Sequence, residues 1–152
     1  MNGTMMKKTS RSIALLAVVG ATALTVGACS SGSNDAQEVW RIGLEAPLSG
    51  SQSALGQGML QGAQLAADDI NNADGLLGRQ IEIIPIDDAA DAATGVTAAN
   101  KAISEGINGV AGPYNSSVGL QTLPLYMDAG LVPIRLTSDN ATQGMGITLQ
   151  PM

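Results

Sequence analysis

From residue 39 onward, apolar residues recur first at every second position and then at every third or fourth, and the two periods keep alternating. That alternation constrains the fold more than any other feature of the chain. Residues 39–46 (VWRIGLEA) place Ile42, Leu44 and Ala46 on one side of a strand that Pro47 ends. Residues 47–58 (PLSGSQSALGQG) have loop chemistry, and a helix is predicted from Met59, with Leu60, Ala63, Ala67 and Ile70 forming one stripe. Residues 71–78 (NNADGLLG) break it, and residues 80–87 (QIEIIPID) form a second, Ile-rich strand. Asp91, whose carboxylate suits free backbone N–H groups, opens a second helix that runs to Glu105 before Gly106. Its stripe is Val96, Ala99 and Ile103. A short third strand covers residues 108–112. Residues 117–129 are predicted helical at least in their second half, with Pro124 either opening or kinking the helix, and residues 131–136 form a fourth strand.

The order β-α-β-α-β-α-β, with connections of helix length, predicts an α/β fold built on a doubly wound parallel sheet. Ligands of such sheets bind at the carboxyl ends of the strands. Four segments qualify: residues 47–57, 87–90, 112–117 and 137–139. All are rich in Gly, Ser, Thr and Asp. Phe is absent and Trp plus Tyr total three, so the core must come from Ala, Leu, Ile and Val.

The inventory of reactive groups excludes several functions. With no His, Ser-His-Asp and Cys-His catalysis and the usual zinc sites lack their imidazole. One Cys allows no internal disulfide. The first turn lacks G-x-G-x-x-G, and neither a phosphate loop nor a G-x-S-x-G elbow occurs. Seven Lys+Arg stand against thirteen Asp+Glu, and three of the cations (Lys7, Lys8, Arg11) lie in the first eleven residues. So acidic a domain repels phosphate backbones, and nucleic acid is excluded as a partner. What remains is hydrogen bonding by hydroxyls, amides and carboxylates, the chemistry of a non-enzymatic binding protein with no cofactor and no metal. Asp87, Asp88 and Asp91 are too poorly supported by their Ala neighbours for a calcium loop and read as strand-end and cap residues.

The first residues read as an address. Residues 5–11 (MMKKTSR) are basic, with Met5 an alternative start, and residues 12–28 (SIALLAVVGATALTVGA) are apolar apart from Ser and Thr. A basic stretch, a short apolar run and small residues describe a secretory signal peptide over 1–28. The run is short for a membrane-spanning helix, which needs about 20 residues. Val26-Gly27-Ala28-Cys29 resembles the lipobox of bacterial lipoproteins, which implies that Cys29 is acylated and anchors the protein to the outer face of the cell membrane. The alternative is an ordinary signal peptide with a chance Cys, but the chain's only Cys sits at the one position that needs it. Residues 29–38 follow as a flexible tether, and 39–152 as the folded domain.

Beyond Arg41 the chain resembles the type I periplasmic-type solute-binding proteins, in the leucine/isoleucine/valine branch of ABC importer receptors. The likeness is carried by Pro47-Leu48-Ser49-Gly50, by Asp74-Gly75-Leu76-Leu77-Gly78-Arg79, by Asp87-Asp88-Ala89, by Ala99-Asn100-Lys101 and by Gly112-Pro113-Tyr114-Asn115-Ser116-Ser117, in that order and spacing. The resemblance implies two α/β lobes joined by three crossing strands and closing on an amino acid or related amide. This chain supplies the first lobe, incomplete, so it is read as a fragment. The implied partners are permease and ATPase subunits of an importer, with the membrane reached through the lipid. The same fold also serves as the ligand-binding module of signalling receptors, and a non-functional truncated remnant is a further alternative.

Carried over residue by residue, the resemblance assigns Ser116 and Ser117 to the ligand's α-carboxylate. Independently, hydroxyls and N–H groups at a helix N-terminus favour an anion, although either Ser would also serve as a cap. Thr137, Ser138 and Asp139 match the segment that meets the carboxylate and ammonium groups. There Asp139 replaces the expected Ser or Thr, which suits an ammonium or amide and repels a carboxylate. Leu55, in the first loop, stands where an aromatic often covers the ligand side chain, and Tyr114 lies in the third segment. Glu45 is expected either in the cleft or at a solvated edge. Ala90 and Asn115 occupy positions that some relatives link by a disulfide. Asn115 and Asn140 each open a glycosylation pattern, without consequence in a bacterial cell.

Overall fold

A computed structural model describes residues 39–137 and 140–148. The signal-peptide, Cys29 and tether expectations lie outside these residues, as do Ser138 and Asp139. Five strands alternate with three helices: β1 (Trp40–Ala46), α1 (Ser53–Asn72), β2 (Ile81–Asp87), α2 (Ala92–Ser104), β3 (Gly109–Ala111), α3 (Ser116–Asp128), β4 (Pro133–Arg135) and β5 (Ile147–Thr148). All pair in parallel, in the order β2-β1-β3-β4-β5. The expected α/β parallel sheet is therefore present, and β5 is a strand the periodicity did not reveal. Two residues are too few to show a period.

The strand order locates the binding crevice. The chain leaves β1 toward β2 on one side, then returns past β1 to β3 and continues outward to β4. With right-handed crossovers, that reversal puts α1 on one face and α2 and α3 on the other. In keeping with this, α1 packs on β1 and β2 while α2 packs on α3. The connections after β1 and β3 thus diverge over opposite faces and leave a crevice at their carboxyl ends.

Small residues set the packing on the α2–α3 face. Ile86, Ala99, Ala102, Ile107, Val110 and Tyr126 form the buried cluster there. Burying each large aliphatic chain contributes about 1.5–3 kcal/mol. Ala99 and Ala102 hold α2 close to the sheet, and Gly95 brings it against α3, where an added Cβ would stand 2.7 Å from Val118 Cγ1. Asp91 caps α2 as expected, accepting from the Thr94 amide and hydroxyl, each at 2.8 Å.

Four expectations need correction. Helix α1 starts at Ser53, not Met59, because Gly56 is not a turn residue: it is buried, and a Cβ there would overlap the Pro47 carbonyl. Nor does α1 end at Asn71, whose side chain reaches across to β2, accepting from the Ile81 amide at 2.7 Å and donating to the Ile81 carbonyl at 2.8 Å. Ile70, on the apolar stripe with Ala67, is exposed while Ala67 is buried. Pro124 does not open α3 but lies inside it.

Candidate functional site

The crevice walls come from the connections after β1, β2, β3 and β4. On the β2 side one carboxylate organises the backbone. Asp87 Oδ1 accepts from the amides of Leu48 at 2.9 Å, Ser49 at 3.1 Å and Ala89 at 2.9 Å, tying the first connection to the end of β2. Burial works against its charge, but the Ser49 hydroxyl and these three amides outweigh it and hold the carboxyl below its ordinary value. Gln57 donates to the Leu48 carbonyl at 2.9 Å, closing the same loop from α1.

Between β1 and β3 the backbones come very close. Gly112 has φ +121°, and a Cβ there would overlap the Glu45 carbonyl oxygen. Only glycine meets both conditions. Across the crevice, Asn115 Nδ2 donates to Gln52 Oε1 at 3.1 Å, so the first and third connections touch. On the β4 side the Ser116 and Thr137 hydroxyls lie 2.6 Å apart. That contact joins the first turn of α3 to the end of β4.

The expected site residues are distributed as follows. Ser116 is half-buried, Ser117 is exposed, and both occupy the first turn of α3. Asn115 stands at the N-cap position without a side-chain cap bond, and Ser116 spends its hydroxyl on Thr137. Thr137 is buried beneath Ser116. Tyr114 is exposed at the head of the third connection. Leu55 is exposed on the first turn of α1 and not in a loop, a correction that follows from the early start of that helix.

Two charged residues depart from the sequence reading. Glu45 lies neither in the cleft nor at a solvated edge, because its side chain is fully buried and accepts from Thr122 Oγ1 at 3.1 Å. Arg135, which no sequence signal singled out, is buried beneath the β4 side. Its guanidinium donates to Thr142 Oγ1 and, at 3.5 Å, to the Thr137 carbonyl. A lone Arg in a six-residue strand segment was the available signal, and it is weak by itself.

A family model described as a periplasmic binding protein matches residues 39–146. The chain belongs to the periplasmic binding protein family. Over 101 residues it is 37% identical to the Leu/Ile/Val-binding protein homolog 2 of Brucella abortus (strain 2308), covering 66% of this chain and 27% of that protein. Among solved structures it is similar to the branched-chain amino acid transporter substrate binding protein LivJ from Streptococcus pneumoniae in complex with isoleucine. There the TM-score is 0.67 and the identity 30%, over 73% of this chain and 33% of that one. A solute binding protein of an ABC transporter from Rhodopseudomonas palustris BisB5, in complex with 3,4-dihydroxy benzoic acid, matches with TM-score 0.60 and 25% identity, over 68% and 28% of the two chains. The chain thus spans about a quarter of the length of the curated relative and a third or less of these structures. Each of these relatives is named a binding protein.

Proposed function

We propose that this domain is the first lobe of an extracytoplasmic substrate-binding protein of an ABC importer, and that it holds a small carboxylic acid, in the first instance a branched-chain amino acid. The observation that carries this reading is the first turn of α3 at the sheet's reversal point. Ser116 and Ser117 stand there, and the neighbouring Asn115 side chain does not cap the helix. Free N–H groups and hydroxyls at a helix N-terminus favour an anion. The relatives support the same chemistry, since isoleucine and 3,4-dihydroxy benzoic acid share a carboxylate and little else.

In this reading Ser116 and Ser117 meet the carboxylate, and Thr137 positions Ser116. Ser138 and Asp139 serve the ammonium group, while Leu55 and Tyr114 flank the ligand side chain. Residues 1–28 direct export, Cys29 carries the lipid, and 29–38 tether the lobe to the outer face of the membrane. Permease and ATPase subunits are the transport partners. Isothermal titration calorimetry with leucine, isoleucine and benzoate tests the ligand class. Binding of an amino acid that Ser116→Ala weakens supports the reading. Binding that ignores Ser116 and Ser117 places the ligand elsewhere and ends it. For the anchor, the intact mass of the membrane fraction is expected to show an acylated Cys29 that Cys29→Ser abolishes.

A further inference from the structure

Behind the crevice lies a second polar cluster that the proposed ligand does not touch. Glu45 near the end of β1, Asp88 just past β2, and Thr122 and Tyr126 on α3 are all fully buried. Thr122 satisfies one oxygen of Glu45, at 3.1 Å, and the Ala90 amide satisfies one oxygen of Asp88, at 2.7 Å. Glu45 Oε1 and Asp88 Oδ2 make no well-formed hydrogen bond, while the Tyr126 hydroxyl faces Glu45. The missing side chain of Gly95 draws the group together, since a Cβ there would lie 3.4 Å from both Asp88 Cβ and Thr122 Cγ2.

The charges around the cluster are all of one sign. From β1 comes Glu45, and from the β2 connection come Asp88 and, behind it, Asp87. From α3 come only the uncharged Thr122 and Tyr126, and from α2 only Gly95. The described cations are engaged elsewhere: Arg41 with Glu82, Lys101 with Glu105, Arg79 over the Trp40 ring and Arg135 with Thr142. Two carboxylates in a dry interior without a cation do not both ionise. Unpaired buried oxygens are also costly unless a proton or a water joins them.

We propose that Glu45 and Asp88 retain one proton between them at neutral pH and that this proton ties the carboxyl end of β1 to the connection that follows β2, behind the crevice. It converts an acceptor-only pair into a donor and an acceptor. Burial pushes Glu45 up to about 8, with the Tyr126 and Thr122 hydroxyls opposing and the Asp88 charge adding. Burial likewise raises Asp88 and, with the Glu45 charge, Tyr126. This inference rests on the packing of the lobe and stands whichever ligand the crevice takes.

Above the ordinary Glu value near 4.5 the unfolded chain releases its proton while the folded chain keeps it, so stability declines with rising pH until about 8 and then levels. Carboxyl ¹³C NMR on the labelled 152-residue chain tests the proton directly. A side-chain carboxyl that stays protonated at neutral pH and titrates near 8 is expected, and its signal should vanish in Glu45→Gln. Urea midpoints between about pH 5 and about pH 9 should fall in the wild type and flatten in Glu45→Gln. If Glu45→Gln does not fold, Asp88→Asn and the wild-type titration decide. Carboxyls fully ionised at neutral pH, or an unchanged pH slope in the variants, overturn the proposal.

Discussion

The two walls of the crevice are built by opposite means. On the β2 side, Asp87 gathers three backbone amides from the loops after β1 and β2, so its Oδ1 is committed to the protein. On the β4 side, Ser116 and Thr137 stand 21 positions apart in sequence and meet through two hydroxyls, each able to donate or accept. A carboxylate saturated by amides holds a loop in place and has little to give a ligand. A hydroxyl pair at a helix N-terminus re-aims its protons when an anion arrives. The first wall is frame, and the second is the one to which the proposed function gives recognition.

Substitution of Asp87 should show the largest effect. Asp87→Ala strips three amides of their acceptor and is expected to lower stability by about 3 kcal/mol, at about 1 kcal/mol per bond, read by urea unfolding. Asp87→Asn keeps an acceptor and should lose less, which separates the hydrogen bonds from the charge. Because the folded carboxyl is held below its unfolded value, its contribution is full above that value near 3.8 and is lost as pH falls through the lower folded value. The acid limb of the stability profile should therefore shrink in Asp87→Asn.

Next in size is Ser116→Ala, expected to weaken amino-acid binding about tenfold while stability moves by less than about 1 kcal/mol. A stability loss equal to that of Asp87→Ala would erase the distinction between the walls. Thr137→Val acts through Ser116. In a double-mutant cycle for ligand affinity the pair should couple by about 0.5 kcal/mol or more, whereas strict additivity would mean the hydroxyls act separately. Smallest is Ser117→Ala: the residue is exposed, so stability should stay within about 0.5 kcal/mol and any change should appear in affinity alone.

The same contrast governs what could be read from the sequence. Strand and helix alternation, the Asp91 cap and the small-residue helices are local patterns, and each is visible within a window of a dozen residues. Gly56 misled because its composition signals a turn, while its role is contact with Pro47 nine positions earlier. Asn71 looked like a helix breaker, yet its amide is spent on Ile81. Glu45 became intelligible only once Thr122, 77 positions away, was placed beside it. Arg135 needed Thr142 and the Thr137 carbonyl in space before its burial made sense. On the recognition wall the sequence named Ser116 and Thr137 through a family likeness, but nothing in their spacing foretold that they touch.

The borders of the sheet have a consequence for copies of the protein that meet by chance. Among the described residues one border of the sheet is β2, whose Pro85 lacks the N–H that an incoming strand would require, and the other is β5. The proline interrupts the run of backbone donors that the β2 border would otherwise present to a foreign strand. A copy of the protein that meets this border by chance therefore finds no continuous ladder to extend on the β2 side.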